Sequence, residues 1–178
     1  TVAHVSPGVT QRELAAVFNT TLAQRFARTR MDNVSIGSST AFGNANVPND
    51  MVTSGSVIRF DVGAVVGGYC SDLSRCFAVQ PIAPRTSAYY GALLAGQQAA
   101  LDALRPGVPA RSLFETAVSS VRSAGIPHYE RTNVGHGIGI YGDGYDAPLL
   151  GPLDDTPIEP GMVLCVETPY YELGFGGL

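Results

Sequence analysis

The strongest pattern in the chain is a run of apolar and β-branched residues on both sides of Gly67-Gly68. Such a run predicts two antiparallel strands, because paired glycines supply the positive φ angles of a tight turn. The first strand should begin near Gly55, and the return strand should extend from about Tyr69 to Val79. The sequence therefore predicts a central β-hairpin.

Helical spacing of apolar residues marks three other segments. Thr10 and Glu13 form the signature of a capping box, and the helix that they open should end near residue 28. A second helix is expected from about residue 86 to 104, and a third that ends at Gly125. A short strand is expected over residues 34–42.

Two stretches of the chain occur twice in the same order. Residues 7–14 match residues 106–113, and residues 55–61 match residues 161–167. The repeat predicts one domain of two related halves, about 1–85 and 86–178, and a site where the halves meet would bring Glu167 to Asp61. Each half lacks elements that the other has at its ends, so we expect a chain that is cut at both ends.

Two carboxylates lie on the predicted hairpin. If the turn centres between Val66 and Gly67, Asp61 and Asp72 face each other directly; a turn centred one residue later makes them diagonal neighbours. Like charges this close need compensation, and a divalent cation suits carboxylate oxygens. The alternative is a pair of solvated acids at the rim of the hairpin.

One histidine has an unusual context, the segment Gly-His-Gly-Ile-Gly around His136. Glycines on both sides let the backbone approach closely and leave the imidazole unshielded by neighbouring side chains, which suits a group that must reach an ion. Taken alone, a glycine-flanked histidine is more often a turn residue. Three carboxylates in the same predicted cleft favour the interpretation of His136 as a metal ligand.

Composition narrows the classes of function. The net charge is −4 with scattered basic residues, which argues against a nucleic-acid surface. No window is apolar enough for a membrane span. The three cysteines fit no zinc-finger spacing, and we expect them to be reduced and mostly buried in a cytoplasmic protein.

Together these motifs resemble the M24 family of metallopeptidases, which includes methionine aminopeptidases, prolidases, aminopeptidase P and creatinase. The resemblance covers the whole chain and is nearest the Xaa-Pro dipeptidase branch, judging from residues 69–72 and 167–171. It implies an α+β pita-bread fold, a curved antiparallel sheet with helices and two pseudo-twofold halves. It also implies a truncated catalytic domain that acts on short peptides at an N-terminal or Xaa-Pro bond, and a homodimer is usual among such relatives.

The resemblance implies two divalent metal ions, manganese, cobalt, zinc or iron, with a metal-bridging water as nucleophile. Asp61 matches the acid that holds one metal, and Asp72 the acid that bridges both. His136 and Glu167 match ligands of the second metal, and Glu167 is also the catalytic group that accepts a proton from the water. A fifth ligand, a glutamate, is expected beyond Leu178.

Two positions depart from the family pattern. Asn49 and Tyr145 stand where substrate-binding histidines are expected, although an amide and a phenol can also donate hydrogen bonds to substrate. These departures leave two alternatives to a peptidase. One is a catalytically impaired homologue that binds a peptide or protein partner, and the other is a creatinase-like hydrolase of a C–N bond in a non-peptide substrate.

Overall fold

The computed structural model describes residues 2–43, 49–140 and 146–178. The chain divides into two compact units, which we call unit 1 (Thr1–Ala83 with Tyr170–Leu178) and unit 2 (Pro84–Pro169). The described helices are α1 (Gln11–Gln24), α2 (Pro84–Ala103) and α3 (Ala110–Ser123), and the strands are β1 (Arg28–Ile36), β2 (Val57–Val66), β3 (Tyr69–Cys70), β4 (Leu73–Ala78), β5 (Gly135–Gly137), β6 (Asp146–Leu149), β7 (Leu164–Val166), β8 (Tyr171–Glu172) and β9 (Gly176–Gly177). Within these residues, no helix is long and apolar enough to cross a membrane.

Unit 1 is built on an antiparallel sheet in which β2 lies between β1 on one side and β3 and β4 on the other. One face of the sheet packs against α1. The side chains of this core are fully or almost fully buried, and those on β1 and β2 lie two residues apart, which puts them on one face of the sheet. They are Leu14, Val34, Ile36, Val52, Ile58, Phe60 and Val62.

The hairpin turn centres between Gly67 and Gly68, since Val66 pairs with Tyr69 and both glycines have positive φ. Asp61 consequently pairs with Ser74. The register that would place Asp72 directly opposite Asp61 is therefore wrong. The other predicted register, one residue later, is the one that the chain adopts.

Three predicted boundaries in unit 1 differ from the structure. The first helix ends at Gln24, not near residue 28, and β1 begins at Arg28, six residues before the predicted strand. The start of β1 is polar and partly exposed, so it shows no apolar run. The return strand is interrupted between β3 and β4, and Asp72 lies in that interruption.

Unit 2 combines the helices α2 and α3 with the small sheet β6-β5-β7. The helices approach closely at Gly96, where an added Cβ would lie 2.2 Å from Cγ2 of Val121. Two side-chain hydrogen bonds attach α2 to the strand β7 and the residues after it. Gln97 Nε2 donates to the carbonyl of Val166 at 2.8 Å, and the Thr168 hydroxyl donates to the carbonyl of Leu93 at 2.8 Å.

One pair of backbone hydrogen bonds occurs in both units. In unit 1, Gly8 N donates to Val52 O and Val52 N donates to Val9 O, at 2.9 and 2.8 Å. In unit 2, Gly107 N donates to Ile158 O and Ile158 N donates to Val108 O, at 2.8 and 2.9 Å. Gly8 and Val9 precede α1, and Gly107 and Val108 precede α3, so the segment before the helix makes the same pair of bonds in each unit.

Candidate metal-binding residues

The two candidate carboxylates of unit 1 occupy diagonal positions in the register of the hairpin. Asp61 pairs with Ser74 in β4, and Asp72 lies two residues before Ser74, in the interruption between β3 and β4. Each carboxylate accepts a hydrogen bond from an arginine through its Oδ2 atom. The distances are 3.1 Å for Arg59 Nη1 to Asp61 and 3.1 Å for Arg30 Nη1 to Asp72.

Arg59 is a buried junction, and its residue is only 1% exposed. Besides Asp61, its guanidinium donates to the carbonyls of Phe42 at 2.9 Å and Gly43 at 2.7 Å. It also donates to the Tyr171 hydroxyl at 3.3 Å and lies 5.2 Å from the centre of that ring. The Arg59 guanidinium therefore connects Asp61 with the backbone of Phe42 and Gly43 and with Tyr171 in β8.

The electrostatics of Asp61 reflect these neighbours. Burial raises the pKa of Asp61 above the usual carboxyl value, the Arg59 guanidinium opposes that rise, and the negative charge of Asp72 adds to it. Such a group gains from a further positive charge nearby. Bound cations provide that charge in proteins, so the pair fits a divalent ion.

The candidate ligands of unit 2 lie on β5 and at the end of β7. His136 is buried, and its Nδ1 donates to the carbonyl of Gly137 at 2.7 Å. In the neutral ring this bond leaves the lone pair on Nε2, the usual arrangement for a metal-ligating imidazole. Glu167 follows β7, and its backbone N donates to Val134 O at 2.9 Å, so the ladder continues to that residue.

The glycine before His136 has a packing role that its flanking pattern did not reveal. Gly135 has a φ of 142°, and a Cβ there would lie 2.0 Å from the carbonyl oxygen of Cys165. Only glycine lets β5 approach β7 this closely. His136 is thus held in a tight strand pairing, whereas the sequence led us to expect an unshielded imidazole.

The two candidate substrate-binding residues are only partly described. Asn49 accepts a hydrogen bond from Arg12 Nη2 at 3.2 Å through its side-chain oxygen. That bond leaves the amide N–H groups of Asn49 as the donors that could meet a substrate. Tyr145 lies outside the described residues.

The donor atoms fit the metals that the family resemblance implies. Carboxylate oxygens and an imidazole nitrogen suit divalent first-row ions. Sequence reasoning missed both arginines and Cys165. A charged residue inside the apolar run of β2 was a usable signal for Arg59, whereas nothing in the sequence marks Arg30.

Comparison with known proteins places these features in a family. The model of metallopeptidase family M24 matches residues 1–178. A putative dipeptidase of Bacillus subtilis is 36% identical over 70% of this chain and 34% of its own length, and an Xaa-Pro dipeptidase of Lactobacillus delbrueckii is 29% identical over 96% and 47%. The chain spans between a third and a half of these relatives.

The fold comparison agrees. Dipeptidase PepE from Mycobacterium ulcerans superposes with a TM-score of 0.91 at 27% identity, over 98% of this chain and 47% of that structure. The predicted α+β pita-bread fold is confirmed. Since the family model covers every residue, the chain belongs to metallopeptidase family M24.

Proposed function

We propose that this chain is the metal-binding part of a peptidase that hydrolyses short peptides at an N-terminal or Xaa-Pro bond. The observation that carries the proposal is the register of the hairpin, which gives Asp61 and Asp72 diagonal positions in a chain of family M24. Relatives that are named dipeptidases and Xaa-Pro dipeptidases support the substrate class.

Four residues would hold two divalent cations: Asp61, Asp72, His136 and Glu167. When bound, such a pair of ions lowers the pKa of a water molecule and polarises the peptide carbonyl. Manganese, cobalt, zinc and iron all suit these donors.

The remaining steps belong to the side chains of this chain. The Glu167 carboxylate takes a proton from the attacking water and returns it to the leaving amine. Arg59 positions Asp61 through the 3.1 Å ion pair. Asn49 and Tyr145 are proposed to bind the substrate, with the amide of Asn49 held by Arg12.

A second candidate is a protein that binds a peptide or protein partner without cleaving it. The two arginine ion pairs favour this alternative, since each carboxylate of unit 1 already has a cationic partner. A creatinase-like reaction on a non-peptide substrate is the third alternative. It would use the same fold, and Asn49 and Tyr145 in place of the expected histidines would fit a different substrate.

Surroundings and assembly complete the proposal. None of the three described cysteines forms a disulfide bond, which supports a cytoplasmic protein because reducing compartments disfavour disulfides. The three cysteine residues are partly exposed, although the sequence led us to expect mostly buried ones. A homodimer, and the absence of nucleic-acid and membrane partners, remain proposals that rest on the family resemblance and on the net charge of −4.

The test is a calorimetric titration of the full-length protein with manganese and with cobalt, followed by an assay for proline release from Ala-Pro. Asp72→Asn removes one charge of the pair while keeping its shape. Asp155→Asn is the matched control, because Asp155 is an acid of unit 2 whose side chain is 68% exposed.

Two-site binding that Asp72→Asn abolishes and Asp155→Asn preserves, together with proline release, is the expected result. Metal binding without release would favour the creatinase-like alternative. No metal binding by the full-length protein would overturn the enzyme and leave the partner-binding protein.

A further inference from the structure

Cys165 occupies a position that the sequence repeat makes equivalent to Arg59. Each residue lies two positions before a candidate ligand carboxylate, Asp61 within β2 in one unit and Glu167 directly after β7 in the other. Residues two apart on a strand share a face, and Arg59 uses that geometry to contact Asp61 at 3.1 Å. Cys165 therefore presents its thiol on the face of Glu167.

The same thiol lies opposite the candidate histidine. His136 and Cys165 are register partners in the antiparallel pairing of β5 and β7, so their side chains leave the same face. A ring nitrogen of His136 and Sγ of Cys165 lie within 4.8 Å of each other. Metal–ligand bonds are about 2.0–2.3 Å long, so two ligands of one ion lie less than twice that distance apart. The His136 nitrogen and the Cys165 sulfur would need only a small side-chain movement to reach such a separation.

We propose that Cys165 is a further metal ligand, a thiolate beside His136 and Glu167 that makes this part of the site favour zinc or cobalt over manganese. The inference rests on the proposed function, since it assumes that His136 and Glu167 hold an ion. On binding, the thiol loses its proton to solvent and the sulfur joins one nitrogen and one oxygen donor. Soft sulfur ligands select zinc-like ions, whereas manganese suits oxygen donors.

The other two cysteines serve as comparisons. Cys76 pairs with Arg59 across β2 and β4, and burial raises the pKa of its thiol to about 11, so it stays protonated at neutral pH. Cys70 lies on β3, and its thiol is half-buried. Cys70→Ser therefore removes a sulfur from unit 1 and leaves Cys165 of unit 2 in place.

Cobalt reports a sulfur ligand directly, through a charge-transfer band in the near ultraviolet that oxygen and nitrogen ligands do not give. We would load the full-length protein with cobalt and record this band for the parent, Cys165→Ser and Cys70→Ser. Circular dichroism checks that each variant is folded, and Cys165→Ala is the second variant if the serine does not fold. Calorimetry then compares zinc and manganese affinities.

The expected result is a band in the parent and in Cys70→Ser that is lost in Cys165→Ser. Zinc affinity should fall roughly ten- to a hundredfold in Cys165→Ser, while manganese affinity changes much less. A cobalt-loaded parent without the band would overturn the thiolate ligand, even if it released proline and so supported the peptidase. A band without proline release would support the ligand and count against the peptidase, and no cobalt binding would overturn both.

Discussion

The two units share a backbone plan and differ in the residue that comes two positions before the carboxylate. In unit 1 that residue is Arg59, which is 1% exposed and forms an ion pair with Asp61. In unit 2 it is the half-buried Cys165, opposite His136. The same strand position therefore carries a cation beside its acid in unit 1, and in unit 2 it carries the thiol that we propose as a soft metal ligand.

The helix starts differ in a similar way. Thr10 caps α1 with its side chain and Glu13 completes a capping box, whereas Pro109 precedes α3 and makes no side-chain cap. The first helical residue donates to a backbone carbonyl in both units, Gln11 N to Asp50 O at 2.8 Å and Ala110 N to Thr156 O at 2.9 Å, and in unit 2 Arg111 N also donates to Asp154 O at 2.8 Å. The units therefore share a backbone bond at the helix start and differ in the side-chain cap.

The largest effect on stability is expected from Arg59→Met. The substitution leaves Asp61 and two backbone carbonyls without their cation, so the free energy of unfolding should fall by about 3 kcal/mol in urea titrations. Cys165→Ser at the equivalent position should cost less than about 1 kcal/mol.

Arg111→Met is the control for the loss of an arginine. Its ion pair with Asp155 is largely exposed, so the expected cost is below about 1 kcal/mol. If Arg59→Met were as mild as Arg111→Met, Arg59 would not be the junction that stabilises unit 1.

Gly135→Ala should have the next largest effect. The added Cβ would lie 2.0 Å from the carbonyl oxygen of Cys165 and would push β5 away from β7, at a cost of about 2 kcal/mol. Gly139→Ala is the matched control, because its Cβ would meet its nearest neighbour, Asp146, at 3.4 Å. Equal melting temperatures for the two variants would contradict the close approach.

Thr10→Ala should cost about 1 kcal/mol, because it removes the side-chain cap of α1. Pro109→Ala should cost less, since the cap of α3 is made by backbone carbonyls. Thermal unfolding followed by circular dichroism would measure both. A larger loss in Pro109→Ala would show that the two helix starts do not differ as described.

The smallest effects are opposite pH dependences of two acids, measured in chelator. Burial raises the pKa of Asp61 in the folded chain, so its contribution to stability is complete below the ordinary carboxyl pKa of about 4 and is lost as pH rises through the folded pKa. Hydrogen bonds from Thr156 lower the pKa of Asp154, so its contribution is complete above about 4 and is lost as pH falls through the folded pKa.

Urea titrations between about pH 3 and pH 7 would separate these contributions in two variants. Asp61→Asn should remove a decline of stability with rising pH, and Asp154→Asn should remove a decline with falling pH. Slopes of the same sign would contradict the assigned environments.

Local patterns predicted most of the elements, although not their boundaries. The hairpin, the three helices and the repeat all follow from periodicity, turn glycines and matched segments, which depend on neighbours in sequence. The start of β1 was missed because Arg28 and the residues after it are polar and partly exposed. The sequence allowed two turn positions and therefore two strand registers. A shift of the register by one residue changes no local residue preference, so the sequence did not decide between them.

By itself, the sequence determined the family, the repeat and the motifs that carry the candidate ligands, since each is a property of residue order. Only the tertiary structure decided which side chains meet. The partnerships of Arg30 with Asp72, of Arg59 with the carbonyls of Phe42 and Gly43, and of Cys165 with His136 join residues that are distant in the chain. Such contacts depend on strand register and on close approach at Gly135, which no short stretch of sequence specifies.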